Sequence, residues 1–359
     1  MQRKNLKLAA FLAATAMFLA GCAPAQTTET SPASLPKIVA TTNVWADVAA
    51  QIAGDKFEVV ALINNVSQDP HSYEASARDQ LAVSEAALFI MNGGGYDDFA
   101  LQLASAAGVK PLNVYELHEL SHEGEEGHDH EGEEGHDHEG EEGHDHEGEE
   151  GHDHEGEEGH DHEGEEGHDH EGEEGHDHEG EEGHDHAHDG SDHIWYDLHI
   201  AELLASELAK KLGEIDSVNA QYFLDNANEF KEAIELLEER VVALSKVKLH
   251  YFEAHPMATL LFAELGFENL TPKGFAEAEE AEVEPSAKVL QEAREIILSG
   301  ELDFLAVNEQ VTSPTLDSLK MLAGEQGVPV LTFDELLPQG KNYQSWFSDI
   351  LSKTEDLLK

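Results

Sequence analysis

The sequence has little cysteine and little positive charge. One of its 359 residues is cysteine, Cys22, so no disulfide can form within the chain. Lys and Arg total 20 against 77 Asp and Glu, which gives a formal net charge of −57. Because a nucleic-acid partner requires a basic surface, this composition argues against nucleic acid and is compatible with the attraction of cations.

Long apolar segments are also scarce. Residues 8–20 form an apolar run that is too short to span a membrane comfortably, and basic residues precede it. The run leads into Leu-Ala-Gly-Cys at residues 19–22, a pattern that resembles the lipobox of bacterial lipoprotein signals. We therefore predict a signal peptide over residues 1–22, an extracytoplasmic protein anchored to the membrane through a lipid on Cys22, and a polar tether over residues 23–36.

Residues 123–186 consist of eight copies of Glu-Gly-Glu-Glu-Gly-His-Asp-His. No copy contains an apolar side chain, so burial cannot offset the entropy lost on ordering, and we predict a disordered insert. Three Glu and one Asp per copy supply 32 of the 57 net negative charges, which leaves about −25 for the remaining chain. Sixteen of the 24 histidines lie in the insert. Since imidazole is a common ligand of zinc, copper and nickel, the repeat predicts a protein that handles a transition metal.

The chain outside the signal, tether and repeat comprises roughly 260 residues, enough for two lobes. Short apolar and β-branched runs alternate there with segments of helical periodicity, which indicates parallel sheets covered by helices. The predicted strands are residues 38–42, 57–63, 88–91, 112–115, 247–252, 267–270, 304–307 and 328–331. The predicted fold is therefore α/β with two lobes, each a small parallel sheet flanked by helices, over residues 37–217 (including the insert) and 247–359. A long helix over residues 218–246 is predicted to join them.

Four residues with metal-ligating side chains fall where predicted strands or loops end: His71, His193, His255 and Asp334. Open parallel sheets bind ligands at the carboxyl ends of their strands, so these positions are candidates for a site. Each residue alone also has an ordinary interpretation. His71 and Asp334 could cap helices, His193 could belong to the histidine-rich tract, and His255 could be an unremarkable loop residue.

The surroundings of these four residues resemble the metal-binding proteins of bacterial zinc and manganese ABC importers, the cluster A-I solute-binding proteins. The resemblance covers nearly the whole mature chain and is carried by Asp69-Pro70-His71, by His193-Ile194-Trp195-Tyr196-Asp197, which is similar to the family's His-x-Trp-x-Asp motif, and by Glu284-Pro285-Ser286. It implies that His71, His193, His255 and Asp334 bind the metal. It also implies that the insert corresponds to the histidine-rich loop of zinc-binding members.

Three positions leave alternatives open. His250 lies close to His255 and competes with it for the third ligand position, although the predicted strand contains His250 and ends before His255. Glu309 could hydrogen-bond to a ligand imidazole or could be a solvated surface carboxylate. Asp197 is followed by Leu198 where the family commonly has proline, which leaves the first turn of the next helix uncertain.

Three imidazoles and one carboxylate form a donor set that suits Zn(II), whereas manganese prefers more oxygen donors. Manganese carriers of the family tend to have a carboxylate where this chain has His255. The resemblance therefore implies a receptor that carries Zn(II) to an ABC permease. A manganese receptor and a surface lipoprotein for metal storage or adhesion remain as alternatives. An enzyme is disfavoured because the sequence has no nucleophile elbow, His-Glu-x-x-His helix or phosphate-binding loop.

Overall fold

The computed structural model describes residues 34–66, 68, 70, 73–123, 192–280, 283–308, 310–311 and 313–358. The predicted signal peptide, nearly all of the predicted tether and the repeat beyond its first residue lie outside these ranges. Within them, no helix combines the length and the apolar character needed to cross a membrane.

Two parallel sheets of four strands each form the framework of the described chain. The first sheet contains β1 (Lys37–Thr42), β2 (Glu58–Ile63), β3 (Leu88–Met91) and β4 (Leu112–Asn113), in the order β2-β1-β3-β4. The second contains β5 (His250–Glu253), β6 (Glu268–Asn269), β7 (Phe304–Asn308) and β8 (Val330–Phe333), in the order β6-β5-β7-β8. The two sheets therefore share one topology, and the predicted α/β fold with two parallel sheets is confirmed.

Helices flank both sheets. Those of the first half are α1 (Asn43–Ala53), α2 (Ala77–Ser84), α3 (Phe99–Ala107), α4 (Val114–Glu123) and α5 (Leu198–Ile215). They are followed by α6 (Ala220–Leu244), α7 (Thr259–Glu264), α8 (Lys273–Glu280), α9 (Ala287–Ser299), α10 (Pro314–Gln326) and α11 (Tyr343–Asp356). Short 3-10 turns at Ile194–Tyr196 and Ser217–Asn219 precede α5 and α6. The 25-residue helix α6 lies within the segment predicted to link the lobes.

Local sequence explains where several elements begin. Ser76 starts α2 with a capping box, in which its hydroxyl accepts from the Asp79 N–H and the Asp79 carboxylate accepts from the Ser76 N–H. Pro314 is the first residue of α10. Its fixed φ suits the first turn, and the N–H that proline lacks would have no partner within the helix at this position. Pro329 lies just before β8 and has no N–H to donate to the ladder. The strand therefore begins at Val330, two residues later than the apolar run predicted.

One hydrophobic core extends through both lobes. It includes residues of β1 and α1 together with residues of β5, α7 and α11, and the buried face of α6 runs through it. Hydrogen bonds also join the two halves. The Asn43 side chain pairs with both the N–H and the C=O of Leu337, at 2.9 and 2.8 Å, and the Tyr343 hydroxyl donates to the Trp195 C=O at 2.8 Å. The lobes are thus held together by packing and buried polar contacts in addition to the linking helix.

Candidate metal centre

Three buried side chains from both halves of the chain converge at the junction of the lobes. His193, His255 and Glu335 each offer one ligand atom, and these atoms lie within 4.8 Å of one another. His255 Nε2 is 3.7 Å from Glu335 Oε1, and the rings of the two histidines are 5.3 Å apart and nearly perpendicular. Ligand atoms around a tetrahedral zinc ion are about 3.4 Å apart, given bonds of about 2.0–2.1 Å. The group therefore needs only a small contraction to coordinate one ion.

The sheet of the second lobe places two of these side chains. His255 and Glu335 each lie two residues beyond the last residue of a strand, β5 and β8 respectively. The two strands flank β7 in a parallel sheet, so their carboxyl ends meet at one edge. The topology alone therefore brings residues 80 positions apart in sequence into one site.

The loop that carries His255 is held by the buried carboxylate of Glu253. Its Oε1 accepts from the N–H groups of Met257 and Ala258, at 2.9 and 2.6 Å, and its Oε2 accepts from the Thr259 hydroxyl at 2.8 Å. Burial raises the pKa of Glu253 to about 7, although these hydrogen bonds favour the ionised form. Glu253 thus holds the segment of chain that follows His255. No sequence motif predicts this role for Glu253.

Glu335 is oriented by donors from both lobes. The Tyr96 hydroxyl of the first lobe donates to Oε2 at 3.3 Å, and the Asn308 amide at the end of β7 donates to Oε1. The Glu335 N–H donates to Oε1 of Gln310 at 2.8 Å. Side chain and backbone are therefore both held, and the carboxylate faces the histidines without freedom to turn away.

His193 lies at the start of the short 3-10 turn that precedes α5, and it is enclosed by aromatic rings. The rings of Tyr96 and Trp195 lie 5.6 and 5.1 Å from its imidazole. Burial opposes protonation of His193, but the hydrogen bond to Asp192 and the charges of Asp192, Glu335 and Glu253 outweigh it and raise the pKa of the imidazole above its ordinary value. Since metal ions bind the neutral imidazole, the raised pKa makes proton and metal compete for His193.

The structure describes three of the four predicted ligands and brings two of them together. His193 and His255 are brought together, whereas His71 and Glu309 lie outside the described residues. Among the described side chains, the carboxylate that joins the histidines belongs to Glu335, the neighbour of Asp334. The backbone N–H and C=O of Asp334 are hydrogen-bonded to the Tyr196 hydroxyl, at 3.2 and 2.8 Å.

The alternation of side chains beyond β8 could have identified Glu335. Phe333 is 1% exposed and packs into the core, and side chains of an extended chain point to the same face at every second residue. Glu335 shares the buried side with Phe333 and is also 1% exposed, whereas Asp334 is only partly buried. The pattern becomes visible only when the strand extends to Phe333, beyond its predicted end at residue 331.

His250 and His255 occupy different environments. His250 lies at the start of β5, where its ring nitrogens are each 3.5 Å from a carboxylate, of Glu268 and of Asp303. Its side chain is 40% exposed, compared with 10% for His255. Only His255, at the opposite end of the strand, lies with His193 and Glu335.

The fold and the site together define a two-lobe α/β binding protein with a buried group suited to one metal ion at the junction of its lobes. The family model for ZnuA, described as zinc-uptake complex component A periplasmic, matches residues 38–357. Since this match covers most of the chain, the protein belongs to the ZnuA family, and the family predicted from the motifs is confirmed.

Parts of the chain are similar to streptococcal lipoproteins. The manganese ABC transporter substrate-binding lipoprotein PsaA of Streptococcus pneumoniae is 38% identical over 93 residues, which are 26% of this chain and 29% of PsaA. The iron ABC transporter substrate-binding lipoprotein MtsA of Streptococcus pyogenes serotype M1 is 34% identical over 97 residues, 27% of this chain and 30% of MtsA. The chain thus matches less than a third of the length of each of these relatives.

Solved structures share the fold over most of the chain. The laminin-binding protein Lmb of Streptococcus agalactiae has a TM-score of 0.61 at 18% identity, covering 90% of this chain and all of Lmb. A crystal structure of ZnuA has a TM-score of 0.60 at 19% identity, covering 91% of this chain and all of that chain. At these identities the likeness concerns the two-lobe architecture.

Proposed function

We propose that this protein is an extracytoplasmic receptor that binds Zn(II) between its lobes and delivers it to the permease of an ABC importer. The observation that carries the proposal is the buried group of His193, His255 and Glu335, formed by both halves of a chain that belongs to the ZnuA family. In this proposal the protein carries its cargo without chemical change and is not an enzyme. Lipid anchoring through Cys22 would keep the receptor beside its permease.

The donor atoms support zinc as the cargo. Two imidazoles and one carboxylate are present in the described site, and His71 is proposed as the fourth ligand. Val66, five residues before His71 in sequence, is linked to the site, because its C=O accepts from Nε2 of Gln310, whose Oε1 accepts from the Glu335 N–H. Three nitrogens and one oxygen are typical of a closed tetrahedral zinc site. The carboxylate role is assigned to Glu335, with Asp334 as the alternative.

Manganese is the competing cargo, because PsaA is named as a manganese transporter lipoprotein. Affinity in the test tube cannot separate the two metals, since nitrogen-rich sites bind Zn(II) more tightly than Mn(II) whatever their biological role. We expect deletion of the gene in its own host to lower uptake of labelled zinc under zinc limitation and to leave manganese uptake unchanged. The wild-type chain should restore zinc uptake, and the variant His193→Ala should not. Loss of manganese uptake with normal zinc uptake would favour the manganese receptor.

The repeat is proposed to collect zinc for the tight site. Deletion of residues 123–186 is expected to lower the total zinc bound per chain while leaving one tightly bound ion, because the cost of closing a loop varies slowly with its length. The ions lost should be weakly bound, since imidazoles outside a preformed site must be ordered in order to coordinate. Equilibrium dialysis measures both classes of ion, and uptake from chelated medium measures the benefit.

A length-matched control separates metal binding from spacing. In this variant the sixteen histidines of the repeat are replaced by glutamine, so that length and carboxylate charge are retained. The control should behave like the deletion. Normal uptake from chelated medium by either variant would contradict the collecting role, and loss of the tight ion on deletion would indicate that the repeat supplies a ligand.

A further inference from the structure

The buried amide of Asn92 is held in one orientation. Asn92 directly follows β3 and is fully buried, and its Oδ1 accepts from the indole N–H of Trp45 at 2.9 Å. Because an indole nitrogen can only donate, the Asn92 atom that faces it must be the oxygen. The amide nitrogen then points the other way, towards the backbone carbonyls of Gly93 and Asp192, at 3.1 and 2.8 Å.

The backbone around Asn92 is held as well. The buried carboxylate of Asp97 accepts from the N–H groups of Asn92 and Gly93, at 2.8 and 2.9 Å. Asn92 is therefore attached at its backbone to the loop after β3 and at its side chain to Trp45. The hydrogen bond from the Asn92 amide nitrogen to the Asp192 C=O connects this firmly held residue to one 100 positions further along the chain.

Asp192 is the residue that orients His193. Its Oδ1 lies 3.0 Å from Nδ1 of His193. A carboxylate at one ring nitrogen holds that nitrogen as the N–H donor and leaves the other nitrogen to bind a metal ion. The direction of the imidazole therefore depends on the position of Asp192, and that position depends on the bond from Asn92.

We propose that Asn92 is a positioning residue for the metal site, which holds Asp192 so that its carboxylate directs Nε2 of His193 towards His255 and Glu335. The inference rests on the proposed function, in which His193 binds zinc. Asn92 makes no contact with the ion itself and acts through Asp192. No motif singled it out, because its partner follows the repeat in sequence.

The test is the rate at which the full-length protein releases its tightly bound zinc to a chelator. Ions held by the repeat should leave in a fast phase and the ion of the buried site in a slow one. Asn92→Ala is expected to accelerate the slow phase by up to about 10–100-fold, the range in which loss of a ligand's own partner, here Asp192, weakens metal binding. Asp192→Ala should do the same, and Asp192→Asn, which keeps an oxygen acceptor beside His193, should have a much smaller effect.

Asn226→Ala is a matched control for the loss of a structural amide. The Asn226 amide on α6 donates to the Ile52 C=O at 2.9 Å, the same kind of bond between distant segments of the chain. Urea unfolding of each variant reports any loss of stability. Asn226→Ala should leave the slow phase of zinc release within about twofold of the wild type, because its bond lies outside the hydrogen bonds that orient His193.

A double variant distinguishes positioning from a general loss of stability. If Asn92 acts through Asp192, then Asn92→Ala combined with Asp192→Ala should release zinc no faster than the more affected single variant. An additive effect in the double variant would overturn the proposal, and so would an unchanged slow phase in Asn92→Ala. An unchanged slow phase in His193→Ala would instead overturn the ligand role of His193, and the positioning role with it.

Discussion

Replacement of His255 by alanine in a chain without the repeat is expected to weaken the tight zinc site by at least about 100-fold, more than the loss of a partner outside the coordination shell usually costs. The imidazole is nine-tenths buried and its Nε2 lies 3.7 Å from Glu335 Oε1, so no other described side chain can take its place without rearrangement. Competition with a zinc chelator of known affinity measures the change.

His250→Ala is the matched control, because His250 is the first residue of β5 and His255 lies two residues beyond its last. His250 is exposed at the opposite end and lies between two carboxylates, so its removal should change zinc affinity by less than about threefold, within the range of surface substitutions. If His250→Ala weakened the site as strongly as His255→Ala, or if both variants bound zinc normally, the assignment of the third ligand would be wrong.

Glu335→Ala is expected to have the second large effect, again a loss of about 100-fold or more in zinc affinity. Its carboxylate is 1% exposed and is held between the Tyr96 hydroxyl and the Asn308 amide. Removing it takes away an oxygen ligand and the charge that compensates the ion in a buried site. The same chelator competition measures this loss, performed at constant pH because protons and zinc compete for imidazole ligands.

Asp334→Ala distinguishes the two adjacent carboxylates. Asp334 contributes its backbone to the Tyr196 hydroxyl, and alanine keeps that backbone, so zinc affinity should fall by less than about tenfold. A greater loss for Asp334→Ala than for Glu335→Ala would restore Asp334 as the ligand. Thermal unfolding of both apoproteins shows whether either change acts through stability.

Much of the fold could be predicted because parallel sheets leave a strong pattern in sequence. Strands such as β1 and β7 are buried along almost their whole length and read as continuous apolar runs between helical segments. The boundaries were less accurate where a neighbouring residue decided them. β8 begins after Pro329, which cannot donate to the ladder, and it extends to Phe333 because its pairing with β7 continues to Asn308.

Part of the candidate site could also be predicted from sequence. His193 lies in a specific motif and His255 follows a strong strand, so both were identified from sequence. Glu335 was missed because the choice between neighbouring carboxylates depends on which side of the chain is buried. Glu253 and Asn92, whose hydrogen bonds hold the backbone near the candidate ligands, carry no signal in a single sequence, because their partners are mostly backbone groups, which every residue has.

Composition and periodicity were sufficient for the α/β class and for the predicted metal-rich character of the repeat, because these depend on local pattern and on the intrinsic chemistry of imidazole and carboxylate. His193 and His255 were identified as candidate ligands through motifs that resemble those of the family. The tertiary structure decided which side chains share one site. Parallel strand ends from distant parts of the chain meet at a single edge, and the buried carboxylate that lies there with His193 and His255 is that of Glu335. Those relations depend on packing between distant segments, which no local stretch of sequence contains.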